Sequence, residues 1–167
     1  VAKPAIRRSP KDVPASLDEI FRATGLLAHH AALADRMQFE AFMLLTGLDE
    51  QRAQAVYYAL SADAPKREMM TRLAGLVSAD AKSKAKALSD AVTAVTTPRN
   101  SMAHTLVSGV HDDPGKAHLH NFRNMDEPTV RATQALLASK IRESGQAVER
   151  TRVAFDALCL SLGVTPP

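Results

Sequence analysis

Apolar residues recur at three- and four-residue intervals along most of this chain, the spacing that gathers them on one face of a helix. Ile20, Leu27, Ala31, Ala34, Met37, Ala41, Leu44 and Leu48 form one such stripe. Ahead of it, Ser16-Leu17-Asp18-Glu19 has the form of a capping box, with Ser16 accepting from the backbone and Glu19 reaching back. Together they predict one long helix from about Leu17 to Thr46, ended by Gly47. Gly25 inside it costs about 1 kcal/mol relative to Ala and marks a bend or a close helix contact.

Asp49 then caps a short helix whose apolar face is Ala53, Val56, Tyr57 and Leu60. Asp63-Ala64-Pro65 is a fresh start signal, because Pro is tolerated at the first helical position. The helix it opens carries Met69, Met70, Leu73, Leu76 and Val77 as its buried set. A fourth helix begins near Asp80, with Ala81, Ala85, Leu88, Val92 and Val95 on one stripe. Lys82, Lys84 and Lys86 occupy its other face, a solvated surface first and a phosphate-facing patch second. Pro98 is expected to interrupt this helix, although the apolar register continues through Met102 and Leu106.

From Val107 to Asp126 no periodicity is visible, and Gly109, Pro114 and Gly115 fall within it, so a long loop is expected. Glu127-Pro128 opens the last helix, expected to run to about Leu162. Ile141, Val148, Phe155 and Leu162 repeat every seven residues, with Val130, Leu137 and Leu158 on the neighbouring seam. That is apolar surface enough for a second partner. The pattern predicts an all-α fold, an antiparallel bundle of about five helices with the first and last the longest and packed antiparallel. Residues 15–167 form one domain with a loop at 107–126, preceded by a flexible basic arm over 1–14.

The chain has 167 residues, enough to bury one core. Its formal charge of +3 permits contact with nucleic acid without announcing it, because the basic residues are interleaved with acids. The single cysteine, Cys159, excludes an internal disulfide, and its leucine neighbours make it a buried, inert thiol. No apolar run approaches the ~20 residues that span a bilayer, so no membrane contact is expected and the compartment is read as cytoplasmic.

The stretch richest in chemistry is Arg99-Asn100-Ser101-Met102-Ala103-His104, directly after Pro98. A permanent cation, a carboxamide and an imidazole that titrates near neutral pH lie within six residues. On a helix Asn100 and His104 share a face, while Arg99 lies about 100° round from Asn100 and reaches across. Arg-Asn-x-x-x-His resembles the signature of the HEPN superfamily (higher eukaryotes and prokaryotes nucleotide-binding domains). The helical architecture from Leu17 to Leu162 is similar as well. Pro98 before the Arg is not required by that pattern, and Thr105 stands where members often have Gly.

The resemblance implies a metal-independent endoribonuclease, of a toxin or defence system, that needs no cofactor. Arg99, Asn100 and His104 are its implied catalytic residues. Two motif copies would face each other across a homodimer, and an antitoxin or other protein partner is compatible with such a system. The alternative is a non-catalytic helical module of the same fold that binds a nucleotide or another protein.

Lys116, His118, His120 and Arg123, in the expected loop, are candidates for RNA contact. His111, His118 and His120 with His104, Asp112 and Asp113 have ligand chemistry, but without a helical or strand frame they are not read as a metal site. Of His29 and His30, one is expected to face the core and the other solvent. Glu40, between Phe39 and Phe42, needs a cationic partner if buried, either an Arg of another helix or Arg99 itself.

Overall fold

A computed structural model of the chain describes residues 13–103, 105–108, 118–121 and 130–166. Five helices dominate it: α1 (Leu17–Thr46), α2 (Glu50–Tyr57), α3 (Asp63–Val77), α4 (Ala79–Ala103) and α5 (Gln134–Ser161). The helical bundle read from the sequence is present, and α1 and α5 are the longest elements.

Three of the predicted end signals act as their chemistry requires. Ser16 Oγ accepts from the Glu19 amide at 3.2 Å, and the Glu19 carboxylate accepts from the Ser16 amide at 2.7 Å. Those bonds hold the Glu19 carboxyl below its usual range, so this cap weakens as acid protonates it. Asp49 Oδ1 accepts from the Arg52 amide at 2.9 Å and starts α2. Gly47, at φ 65°, supplies the left-handed residue that ends α1. No atom outside its own helix comes within 4 Å of where a Gly25 side chain would start, so Gly25 marks no close helix contact.

Four expectations are corrected. First, the stretch read as a loop at 107–126 carries β-structure. β1 (Thr105–Ser108), β2 (His118–Asn121) and β3 (Val130–Arg131) form a three-stranded antiparallel sheet in the order β1-β2-β3. Thr105 pairs with Asn121 and Ser108 with His118, while His118 also lies opposite Arg131. The all-α bundle of five helices stands, and this small sheet takes part of the place expected for a loop. Strands of four, four and two residues are too short to show a period.

Second, Glu127-Pro128 does not open α5, which begins at Gln134 after β3 and Thr133. Pro14 forms a bridge with Thr133, and the Gln134 amide donates to the Val13 carbonyl at 3.1 Å. Residues 13 and 14, assigned to the arm by composition, thus hold the start of α5; residues 1–12 lie outside the described residues. Third, α4 runs through Pro98 without interruption, forgoing the bond a Pro98 N–H would have given. Fourth, α1 and α5 are parallel rather than antiparallel. Gln134 Nε2 donates to Glu19 at 2.7 Å near both helix starts, and His30 Nδ1 meets Ser144 Oγ at 3.2 Å further along both.

The chain forms two compact units, one of residues 1–28 with 97–143 and one of residues 29–96 with 144–167. In the first, Ala15, Ile20, Ala23, Leu27, Met102, Leu119, Ala132 and Leu137 make a small core. In the second, Phe39, Phe42, Tyr57, Met70, Leu88, Val95, Phe155 and Leu158 are among the residues of a larger one. All five residues predicted for the α4 stripe are buried there. Cys159 is buried in the same core, which pushes its thiol up, away from the thiolate.

Candidate functional site

The last turns of α4 present the Arg-Asn motif within the first unit. Met102 anchors this end, buried with Ile20, Leu27, Leu119 and Leu137. Arg99 is exposed and Asn100 half-buried. The Arg99 guanidinium reaches round the helix and donates to Asn100 Oδ1 at 2.7 Å. Among the described residues no carboxylate is ion-paired with Arg99. Its remaining N–H groups keep the fork geometry that suits a phosphoryl oxygen pair.

Lys140, one and a half turns into α5, brings its Nζ to 3.5 Å from Ser101 Oγ. A second cation therefore stands at the same turn. Both cations oppose the partial negative charge of the carbonyls at the α4 C-terminus, which would otherwise repel an anion. The sequence reading missed Lys140, because nothing in local spacing links residues 39 positions apart.

His104, Lys116 and Arg123 lie outside the described residues, as do His111, Asp112 and Asp113. His118 and His120 lie on β2, so the frame that appeared absent from the sequence exists as a strand. Among the described residues no group of three or more His, Cys, Asp or Glu side chains is placed to hold a metal ion. No described helix is long and apolar enough to cross a membrane.

No family model, curated protein or solved structure matches the chain. What the α4 end can do follows from its own groups: an unneutralised fork donor, a carboxamide that orients it, and a neighbouring ammonium.

The second unit holds a different polar cluster, invisible in the sequence. The Tyr57 hydroxyl lies 3.1 Å from Asp35 Oδ1 and 3.2 Å from Gln38 Oε1, and Tyr58 donates to Asp35 Oδ2 at 3.3 Å. Lys66 Nζ is 3.3 Å from Asp35 and sits 4.3 Å from the Tyr57 ring centroid and 5.0 Å from that of Tyr58. Gln38 in turn donates to Ser89 at 3.4 Å. These bonds tie α1 to the end of α2, to α3 and to α4. With its buried side-chain polar atoms satisfied, the cluster cross-links these helices.

Burial, and then the Asp35 charge, push the Tyr57 phenol far above its ordinary range, and Tyr58 shifts the same way. In the unfolded chain a tyrosine loses its proton near pH ~10. Above that pH the folded state binds more protons than the unfolded state, so stability falls as pH rises; below it the contribution is fully present. Urea titrations between about pH 9 and 11 should show this loss, and Tyr57→Phe should make the slope shallower. An unchanged slope would mean that Tyr57 ionises as readily folded as unfolded.

Glu40 is bonded to Arg36 on its own helix at 2.7 Å, and Arg36 also bonds Glu50 at 3.1 Å. Neither expected partner, an Arg of another helix or Arg99, is the one it takes. His30 is half-buried against Ser144 while His29 is exposed, which accounts for the pair structurally.

Proposed function

We propose that this chain is a HEPN-like, metal-independent endoribonuclease acting as a homodimer. The observation that carries this reading is the exposed Arg99 guanidinium, held to Asn100 Oδ1 and without a carboxylate partner among the described residues. In the proposed reaction the substrate 2′-oxygen bonds to the adjacent phosphorus and the bond from phosphorus to the 5′-oxygen breaks. An imidazole, that of His104, takes the 2′-hydroxyl proton, and an acid returns one to the departing 5′-oxygen. Arg99 stabilises the charge that builds on the non-bridging oxygens. One His cannot fill both proton roles in a single step, so the His104 of a second copy supplies the other.

Support for a second copy comes from α5, where Val153 and Leu160, seven residues apart, are apolar and exposed. Sedimentation should then show a dimer at micromolar concentration, and a monomer at high micromolar concentration would contradict the mechanism. The chemistry itself is tested by product ends. RNA cut by this route in EDTA carries a 2′,3′-cyclic phosphate and a 5′-hydroxyl. Products with 5′-phosphates, or no cleavage once EDTA is present, would reject it.

A further inference from the structure

The groove between α3 and α4, in the second unit, is a cation-lined feature that the proposed reaction leaves unused. The two helices form a tight antiparallel hairpin joined by Ser78 alone, whose hydroxyl caps α4 by accepting from the Ala81 amide at 3.0 Å. Near this joint the Lys82 stem lies against Gly75, 3.4 Å from where a Cβ would stand. Further down, Arg67 donates to Thr93 Oγ1 at 3.2 Å. Between them opens a cavity of about 740 Å³, within the range of ~300–1,000 Å³ typical of small-molecule sites.

Four cations line it: Arg67, Arg72, Lys82 and Lys86. Arg72 is bonded to Glu68 and Lys86 to Asp90, each one turn along its own helix. Among the described residues Arg67 and Lys82 have no carboxylate partner. Arg67 is half-buried, which raises the cost of leaving it unpaired and the gain from an anion. Ser89 also lines the groove although only 2% exposed, and its oxygen accepts from Gln38. Its hydroxyl proton remains for an acceptor.

Beside these groups the wall is apolar. Leu76, which the sequence assigns to the core, is 85% exposed, and Leu73 stands next to the same opening. A cavity with two unneutralised cations, a buried hydroxyl donor and an apolar wall matches a ligand with a diphosphate at one end and a flat organic body at the other.

We infer that the α3–α4 groove binds a nucleoside diphosphate, its phosphates between Arg67, Lys82 and the Ser89 hydroxyl and its base against Leu73 and Leu76. The site is separate from Arg99 and independent of RNA cleavage. Lys84, outside this groove, serves as the control.

Calorimetric titration of the full chain with ADP, inorganic pyrophosphate, adenosine and a short single-stranded RNA at ~150 mM salt tests it. ADP should bind saturably and more tightly than pyrophosphate, and adenosine should not bind. Lys82→Gln and Arg67→Met should each weaken ADP by about tenfold or more, the loss of one charge-assisted contact. Lys84→Gln and Arg99→Ala should leave it unchanged. Because Lys82 is exposed, Lys82→Gln keeps the test decisive even if Arg67→Met disturbs the hairpin. No ADP binding at millimolar concentration, equal binding by Lys82→Gln, or loss of ADP binding in Arg99→Ala would overturn the proposal. Pyrophosphate binding as tightly as ADP would overturn the nucleoside half of it.

Discussion

Replacing Tyr57 with alanine should destabilise the fold by about 3–5 kcal/mol, the cost of emptying a large aromatic site in a packed core. Tyr57 is fully buried and contacts both Phe39 and Phe42, with ring centroids 5.4 and 5.6 Å away. The variant also removes the ring beneath Lys66 and the hydroxyl that meets Asp35 and Gln38. Typical domains hold only about 5–15 kcal/mol in reserve, so the melting temperature should fall by roughly 10 °C or more. Tyr57→Phe keeps the ring and should lose only about 1–2 kcal/mol. Urea denaturation of the three proteins separates packing from hydrogen bonding. An alanine variant within about 1 kcal/mol of the parent would show that Tyr57 does not organise this core.

The second large effect concerns turnover. His104→Ala should abolish RNA cleavage and leave RNA affinity nearly unchanged, because a proton shuttle acts on the transition state and not on the bound substrate. Arg99→Ala should weaken both, since the guanidinium attracts phosphate before and during the reaction. Arg99→Lys should restore binding better than turnover, because an ammonium keeps the charge and loses the fork. Arg99 is exposed and contributes nothing to the core, so circular dichroism and melting of its variants should match the parent. A large drop in melting temperature for Arg99→Ala would make the residue structural.

How much of this was legible in the sequence depends on how far apart the determining residues lie. The α4 stripe from Ala81 to Val95 was readable because a helix repeats its core contact every turn, and the Ser16 and Asp49 caps because they act over three residues. The β-sheet was not readable. Its pairings join residues such as Thr105 and Asn121 across an intervening segment, and each strand is too short to show alternation. Leu76 and Val77 had the right spacing for burial, yet the single-residue joint at Ser78 ends α3 with both of them exposed.

The candidate site divides along the same line. That Arg99 and Asn100 act together follows from adjacency, and the structure joins them by a hydrogen bond. Lys140 reaching Ser101, Lys66 on Tyr57, and Lys82 facing Arg67 across a groove are consequences of helix packing. The parallel course of α1 and α5 has the same origin.

The most direct measurement is incubation of total RNA in excess EDTA with the parent chain and with His104→Ala, each first shown to be folded by circular dichroism. Fragmentation by the parent and intact RNA with the variant are expected. Intact RNA with both, or equal fragmentation by both, would contradict the assignment of catalysis to the Arg99–His104 motif.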